Sequence, residues 1–289
     1  MKKYFTLILI VVLCSCKQAA TENQQVHTTE GYAITKMYSA GVGDTFLVSV
    51  SLPNDYDAKK RYPVVYVLDA NLYFDILATI LNKYSPVGLA PEVILVGIGY
   101  KDFQTMDSLR DRDYTYPTAL PEYEMSISGG ANKFLNFISN DLIPQMDEKY
   151  RTDTNRRVLM GHSLGGYFTG YALLQQLRGK YTGFNCFIAA SPSVNFDKYY
   201  LLYQMKGAEL QAANKFMKAY FTFGGLEDDE DKDEPGAMKN KAVLAQMSSL
   251  LSDKLLVKTE MFSNLGHMDA QMPAFIKGLR WVLSDSSGR

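Results

Sequence analysis

Residues 157–177 read RVLMGHSLGGYFTGYALLQQL: a short apolar run ending at Met160, small residues clustered from Gly161 to Gly166, and a longer apolar run from Tyr167 to Leu177. The first run has the continuous apolarity of a strand covered on both faces, and the second is long enough for a helix. Between them Gly161, Gly165 and Gly166 leave room for a sharp strand-to-helix turn. Such a turn lifts the Ser163 hydroxyl clear of the sheet and sets it at a helix N-terminus, where developing negative charge is favoured. The alternative is a glycine-rich turn in which Ser163 only caps the helix.

The flanking chain repeats the strand-and-helix alternation. Tyr32 to Tyr38 and Thr45 to Leu52 alternate imperfectly around Gly41-Val42-Gly43-Asp44 and predict an antiparallel hairpin. Pro63 to Leu68 (PVVYVL), Val93 to Ile98 (VILVGI), Phe184 to Ala190, Phe216 to Phe223 and Leu255 to Phe262 predict further strands. Helical spacing of apolar residues predicts helices through Phe134 to Met146, with a bend near Pro144, and through Val243 to Leu251 and Met272 to Leu283. Lys198 to Ala213 is also expected to be helical. The polar, aromatic stretch from Lys101 to Gly130, interrupted by Pro117 and Pro121, reads as one long loop. The pattern is that of one α/β domain over residues 31–289, with a mostly parallel sheet, helices on both faces and the N-terminal hairpin at one edge. The loops after Leu68, Met160, Gly224 and Phe262 should then meet at the carboxyl ends of the strands.

Composition narrows the function classes. Of 289 residues, 47% are hydrophobic and 21% charged, which excludes a disordered chain. Thirty basic and 31 acidic residues leave a net charge of -1, so no general field draws nucleic acid. At the N-terminus Lys2 and Lys3 precede the apolar run Tyr4 to Leu13, too short to span a bilayer and read as an export signal. Leu13-Cys14-Ser15-Cys16 resembles a bacterial lipoprotein signal. By that resemblance residues 1–15 are removed, Cys16 carries lipid, and residues 16–30 tether the domain to a membrane of the cell envelope, the outer one being expected. A plain secretory signal is the alternative. Cys186 is then the remaining thiol, set in an apolar strand as core filler.

A serine nucleophile needs a base, and there are three histidines. His27 falls in the tether, and His162 should diverge from its neighbour Ser163 on the turn. His267, in a loop after a predicted strand, is the candidate. By the chain order serine, acid, histidine, the acid belongs between them at a strand end. Glu227, just past Gly224-Gly225, is first choice, with Asp228 as the alternative and Asp197 a further candidate. The acidic run Glu227 to Glu234 lacks the spacing of an EF-hand and reads as a solvated loop rather than a calcium site. No HExxH, cysteine cluster, GxGxxG or Walker pattern is present, so neither a metal nor a nucleotide cofactor is expected. The two oxyanion donors are expected from the backbone of Leu164 and of Asn71, with Ala70 next to it.

Arg61 to Asp69 (RYPVVYVLD), Arg110-Asp111-Arg112-Asp113-Tyr114-Thr115, Gly161 to Gly166, Ser191-Pro192-Ser193, Gly224-Gly225-Leu226-Glu227 and Gly266-His267 form a series of motifs. Together they resemble the esterase branch of the α/β-hydrolases, which includes enterochelin-type siderophore esterases, feruloyl and other carbohydrate esterases, S-formylglutathione hydrolase and the mycolyltransferases. The likeness runs from about residue 31 to about 285. It implies the α/β-hydrolase fold and serine ester hydrolysis through an acyl-enzyme without a dissociable cofactor, on a small-molecule ester of siderophore or aromatic-sugar type. Arg110, Arg112, Tyr114 and Ser191 are expected to line the substrate cleft, unless the two arginines only pair with neighbouring aspartates to fix their loop. A carbohydrate esterase proper, a thioesterase or peptidase with the same machinery, and a non-catalytic binding module are the other readings.

Overall fold

Continuous apolar runs make strands that must be covered on both faces, and the chain supplies helices for each. In the computed structural model, which describes residues 27–29, 31–207, 210, 217–230 and 237–284, the strands are β1 (His27–Thr29), β2 (Tyr32–Ser39), β3 (Asp44–Ser51), β4 (Tyr62–Val67), β5 (Ile94–Gly99), β6 (Thr152–His162), β7 (Cys186–Ala190), β8 (Lys218–Gly224) and β9 (Leu256–Phe262). The helices are α1 (Ala70–Tyr84), α2 (Phe103–Tyr114), α3 (Ala131–Phe137), α4 (Ile143–Lys149), α5 (Leu164–Leu177), α6 (Phe196–Gly207), α7 (Glu227–Glu230), α8 (Asn240–Leu251) and α9 (Gln271–Val282). The signal segment, Cys16 and Asp231 to Glu234 lie outside the described residues.

One sheet runs β1-β2-β3-β5-β4-β6-β7-β8-β9. The first three strands and the β3–β5 pair are antiparallel, and every pair from β5 through β4 to β9 is parallel. Alternation along β4 divides the core: Val64, Tyr66 and Leu68 pack with α5, whereas Val65 and Val67 pack with α1 and α9 on the opposite face. Helix α5 is buried along its whole length except at Gln176, which explains an apolar run with no polar stripe. Among the described residues no helix is long and apolar enough to cross a membrane. Cys186 is a buried free thiol, pushed up to about 12 by burial.

Two expectations need correction. The stretch from Lys101 to Gly130 is not one long loop, because α2 occupies its first half. That helix buries only Met106, Asp113 and Tyr114, so it has no apolar stripe to read; its signal is Asp102, whose carboxylate caps the Thr105 amide at 2.8 Å. The helix through Phe134 to Met146 is not merely bent. It widens into a π segment at Ile138–Leu142 just before Pro144, which has no N–H to give to the preceding turn.

Candidate active site

Strand β6 runs on to His162 and α5 begins at Leu164, so Ser163 alone makes the turn. Its backbone is at φ 58° and ψ -121°, a conformation that costs a non-glycine residue about 1–3 kcal/mol. The glycine spacing is steric: a Cβ on Gly161 would run into the Gly165 backbone, and one on Gly166 would lie 2.9 Å from the Ala190 carbonyl oxygen. Ser163 makes no side-chain cap. Its Oγ instead lies 3.3 Å from Ser193 Oγ, and the Ser193 amide donates to the Ser163 carbonyl at 3.1 Å. The capping alternative is therefore set aside.

The loop after β4 meets this turn. Asp69 adopts left-handed backbone angles (φ 51°, ψ 46°) ahead of α1, and a Cβ on Gly165 would lie 3.1 Å from its Oδ2, so the starts of α1 and α5 abut. Leu164 and Asn71 both fall in first helical turns, whose amides have no acceptor within their own helix. Asn71 is fixed by two bonds to Tyr100: its Nδ2 donates to the carbonyl at 2.8 Å and its Oδ1 accepts from the amide at 2.7 Å.

Arg110 and Arg112 follow the alternative read from the sequence, pairing with aspartates, and Tyr114 is buried. Arg110 donates to both oxygens of buried Asp69, at 3.1 and 3.0 Å, and to the His162 carbonyl at 3.4 Å. Arg112 is bound to Asp113 at 2.8 and 2.9 Å and to Asp44 at 3.1 Å. Tyr114 is wholly buried and accepts from the Asp69 amide at 3.1 Å. These groups are committed to carboxylates and backbone within the protein, so they fix the loops rather than offer a donor fork to a ligand. Burial pushes the Asp69 carboxyl above its ordinary range against the opposing pull of Arg110.

Glu227 and His267 are brought together by backbone pairing of their two turns. The Gly225 amide donates to the Phe262 carbonyl at 2.8 Å and the Leu226 amide to that of Leu265 at 3.1 Å. A Cβ on Gly225 would lie 2.7 Å from the Ser263 backbone, so this approach requires glycine. Glu227 then reaches His267, with Oε2 at 2.9 Å from Nδ1. Its Oε1 accepts from Ser191 Oγ at 2.6 Å and from the Gly224 amide. Burial raises the Glu227 carboxyl, but bonds from His267, Ser191 and Gly224 outweigh it and hold the group below its ordinary range. Asp228 has another task, accepting from the Asn240 amide at the start of α8 at 2.9 Å. Asp197 is the second residue of α6, in a left-handed conformation.

Ser191 is 1% exposed and donates its hydroxyl to Glu227, and it also borders the cavity beside that pair. The cavity of about 430 Å³ beside the pair is lined by Ser193, Asn195, Tyr199, Lys239, Asn240 and His267, among others. Sequence reasoning missed Ser193 as the neighbour of the Ser163 hydroxyl, although it lies in the Ser191-Pro192-Ser193 motif. His162, set aside there, is buried with its Nε2 2.9 Å from the His267 carbonyl and its Nδ1 2.9 Å from Tyr73 Oη.

A mostly parallel sheet of this order, with a strained serine between its central strand and a buried helix and a paired carboxylate and histidine on the last two strand ends, defines an α/β-hydrolase. Residues 39–248 match the family model described as "Putative esterase", and the chain belongs to that family. It is 37% identical over 186 residues to the ferri-bacillibactin esterase BesA of Bacillus subtilis, covering 61% of this chain and 63% of that one. It is 30% identical over 172 residues to the siderophore triacetylfusarinine C esterase of Aspergillus fumigatus, covering 57% and 56%. These matches span less than two thirds of either relative. The BES protein from Bacillus cereus shares the fold over 92% of this chain and 99% of its own, with a TM-score of 0.72 at 24% identity.

Proposed function

We propose that this protein is a serine ester hydrolase of the cell envelope that cleaves siderophore-type esters through an acyl-enzyme. The observation that carries the chemistry is the Glu227–His267 bond of 2.9 Å, with the His267 carbonyl bound at 2.9 Å to His162, the residue before a strained serine that caps nothing. Ser163 Oγ attacks the ester carbonyl while His267 takes its proton. Glu227 keeps the proton on Nδ1, leaving Nε2 to act as base, and stabilises the imidazolium that forms. The amides of Leu164 and Asn71 hold the oxyanion. His267 then protonates the leaving alcohol and activates the water that releases the acid. One relative is named a siderophore triacetylfusarinine C esterase and another a ferri-bacillibactin esterase, which supports that substrate class over feruloyl or acetyl sugars. The Lys2-Lys3, apolar run and Cys16 order supports a lipid anchor.

The test is a panel of catecholate triesters, feruloyl sugars and simple aryl esters assayed with wild type and Ser163→Ala, together with phosphonate labelling. Wild type should favour the triesters, label at Ser163, and lose nearly all turnover on substitution. His267→Ala should be as damaging, with the double variant little worse than either single one. Label on another residue would overturn the mechanism, and preference for the feruloyl sugars would overturn the substrate.

A further inference from the structure

The serine, acid and base account leaves one buried imidazole unused. His162 sits between α1 and the loop that carries His267, at 2% exposure, with the two imidazole rings 4.6 Å apart. Its protonation pattern follows from its partners. The His267 carbonyl can only accept, so His162 Nε2 carries the hydrogen and donates at 2.9 Å. A neutral ring then has a bare Nδ1, which accepts from the Tyr73 hydroxyl at 2.9 Å. Burial, with the His267 ring and the Arg110 guanidinium nearby, pushes the His162 pKa down to about 4, so the neutral form persists above that range. Glu227 acts in the opposite direction, and Asp69 is a further charged neighbour of Tyr73.

We infer that His162 is a positioning residue: the chain Tyr73 O–H to His162 Nδ1, His162 Nε2–H to the His267 carbonyl, fixes the backbone of the base relative to the serine. This rests on the serine–histidine–glutamate reading above. The logic is geometric. The Glu227 bond restrains the His267 ring at one nitrogen, and the Leu226–Leu265 backbone bond of 3.1 Å holds the loop two residues before it. A second hold on the main chain, made by the residue covalently joined to Ser163, sets the separation of base and nucleophile from the nucleophile's own strand. Arg110 secures the other side of that strand end by donating to the His162 carbonyl at 3.4 Å.

The experiment compares His162→Leu, His162→Gln and Tyr73→Phe with wild type. It uses turnover of an uncharged aryl ester and hydrogen–deuterium exchange of residues 263–270, with circular dichroism to confirm folding. Leucine removes the donor, whereas glutamine places an amide N–H near the position of Nε2. For His162→Leu, exchange in the loop should rise and kcat should fall about 10- to 100-fold with KM within about twofold, and His162→Gln should restore most of both. Tyr73→Phe leaves the donor in place and should cost less, about two- to fivefold in kcat. A folded His162→Leu with unchanged loop exchange, or a loss of kcat that His162→Gln does not recover, overturns the inference. Should His162→Leu fail to fold, Tyr73→Phe decides by the same two measurements. Wild-type hydrolysis and labelling at Ser163 report separately on the esterase reading, while loop exchange reports on the anchor.

Discussion

Replacing Arg110 by methionine separates a structural arginine from a substrate-binding one. Arg110 is 17% exposed at its side chain and Asp69 2%, and their two bonds of about 3 Å close a pair that water barely reaches. Removing one partner of such a pair strands a buried charge, at a cost of about 3–5 kcal/mol. For a domain of this size the melting temperature should fall by about 6–20 °C. The penalty should depend on pH. Without its cation, Asp69 is driven further toward the protonated form in the folded state, while the unfolded chain keeps an ordinary aspartate near 3.9. Folded protein then binds a proton that unfolded protein does not, and the deficit shrinks as pH falls from about 7 toward about 4. Urea unfolding across that range measures it. Asp69→Asn/Arg110→Met, which strands no charge, should be more stable at neutral pH than Arg110→Met alone. Equal deficits at all pH values, or a double variant that loses the sum of the single losses, would refute the buried-pair account. KM for an anionic ester rising far above that for an uncharged one would restore Arg110 to the substrate.

Glu227→Gln keeps an oxygen that can accept from Ser191 and the Gly224 amide but no longer neutralises the imidazolium, and kcat should drop by about 10³- to 10⁴-fold with little change in KM. Ser191→Ala removes a bond to that carboxylate and should cost about 1.5–3 kcal/mol in urea unfolding. His162, neutral when folded down to about 4 but near 6.5 when unfolded, makes stability fall as pH drops between those values, by about 3 kcal/mol in all. The difference between wild type and His162→Gln in urea titrations isolates that slope, and parallel curves would contradict it. Cys16→Ser should leave unprocessed precursor or protein absent from the detergent-rich phase on phase separation; unchanged partitioning would sink the anchor.

The strands and the serine turn were legible because their signals are local. Val64 to Leu68 and Gly161 to Gly166 announce themselves within a few residues. His267 could be picked because it alone of three histidines stands on a loop after a predicted strand, whereas the acid was narrowed only to Glu227, Asp228 or Asp197 until the bond from Glu227 to His267 separated them. Helix α2 was hidden because its polar side chains are matched to distant partners, Arg112 to Asp44 68 residues away and Arg110 to Asp69 41 away. No periodicity within residues 101–130 records such pairs, so arginines that clamp two loops resembled arginines that await a ligand. His162 was passed over for a similar reason: its hydroxyl partner Tyr73 lies 89 residues off on the buried face of α1.

Ser163 stands at the end of a strand with neighbours on both sides, whereas His267 follows β9, the last strand of the sheet, whose side chains are half exposed. The two halves of the proposed chemistry thus inherit unequal resistance to local opening. Fraying of the sheet's outer margin reaches the base while the serine and its helix are still packed. Heat or denaturant should therefore extinguish turnover before the core gives way, and the molecule's working range is set by its most peripheral strand rather than by its most buried one.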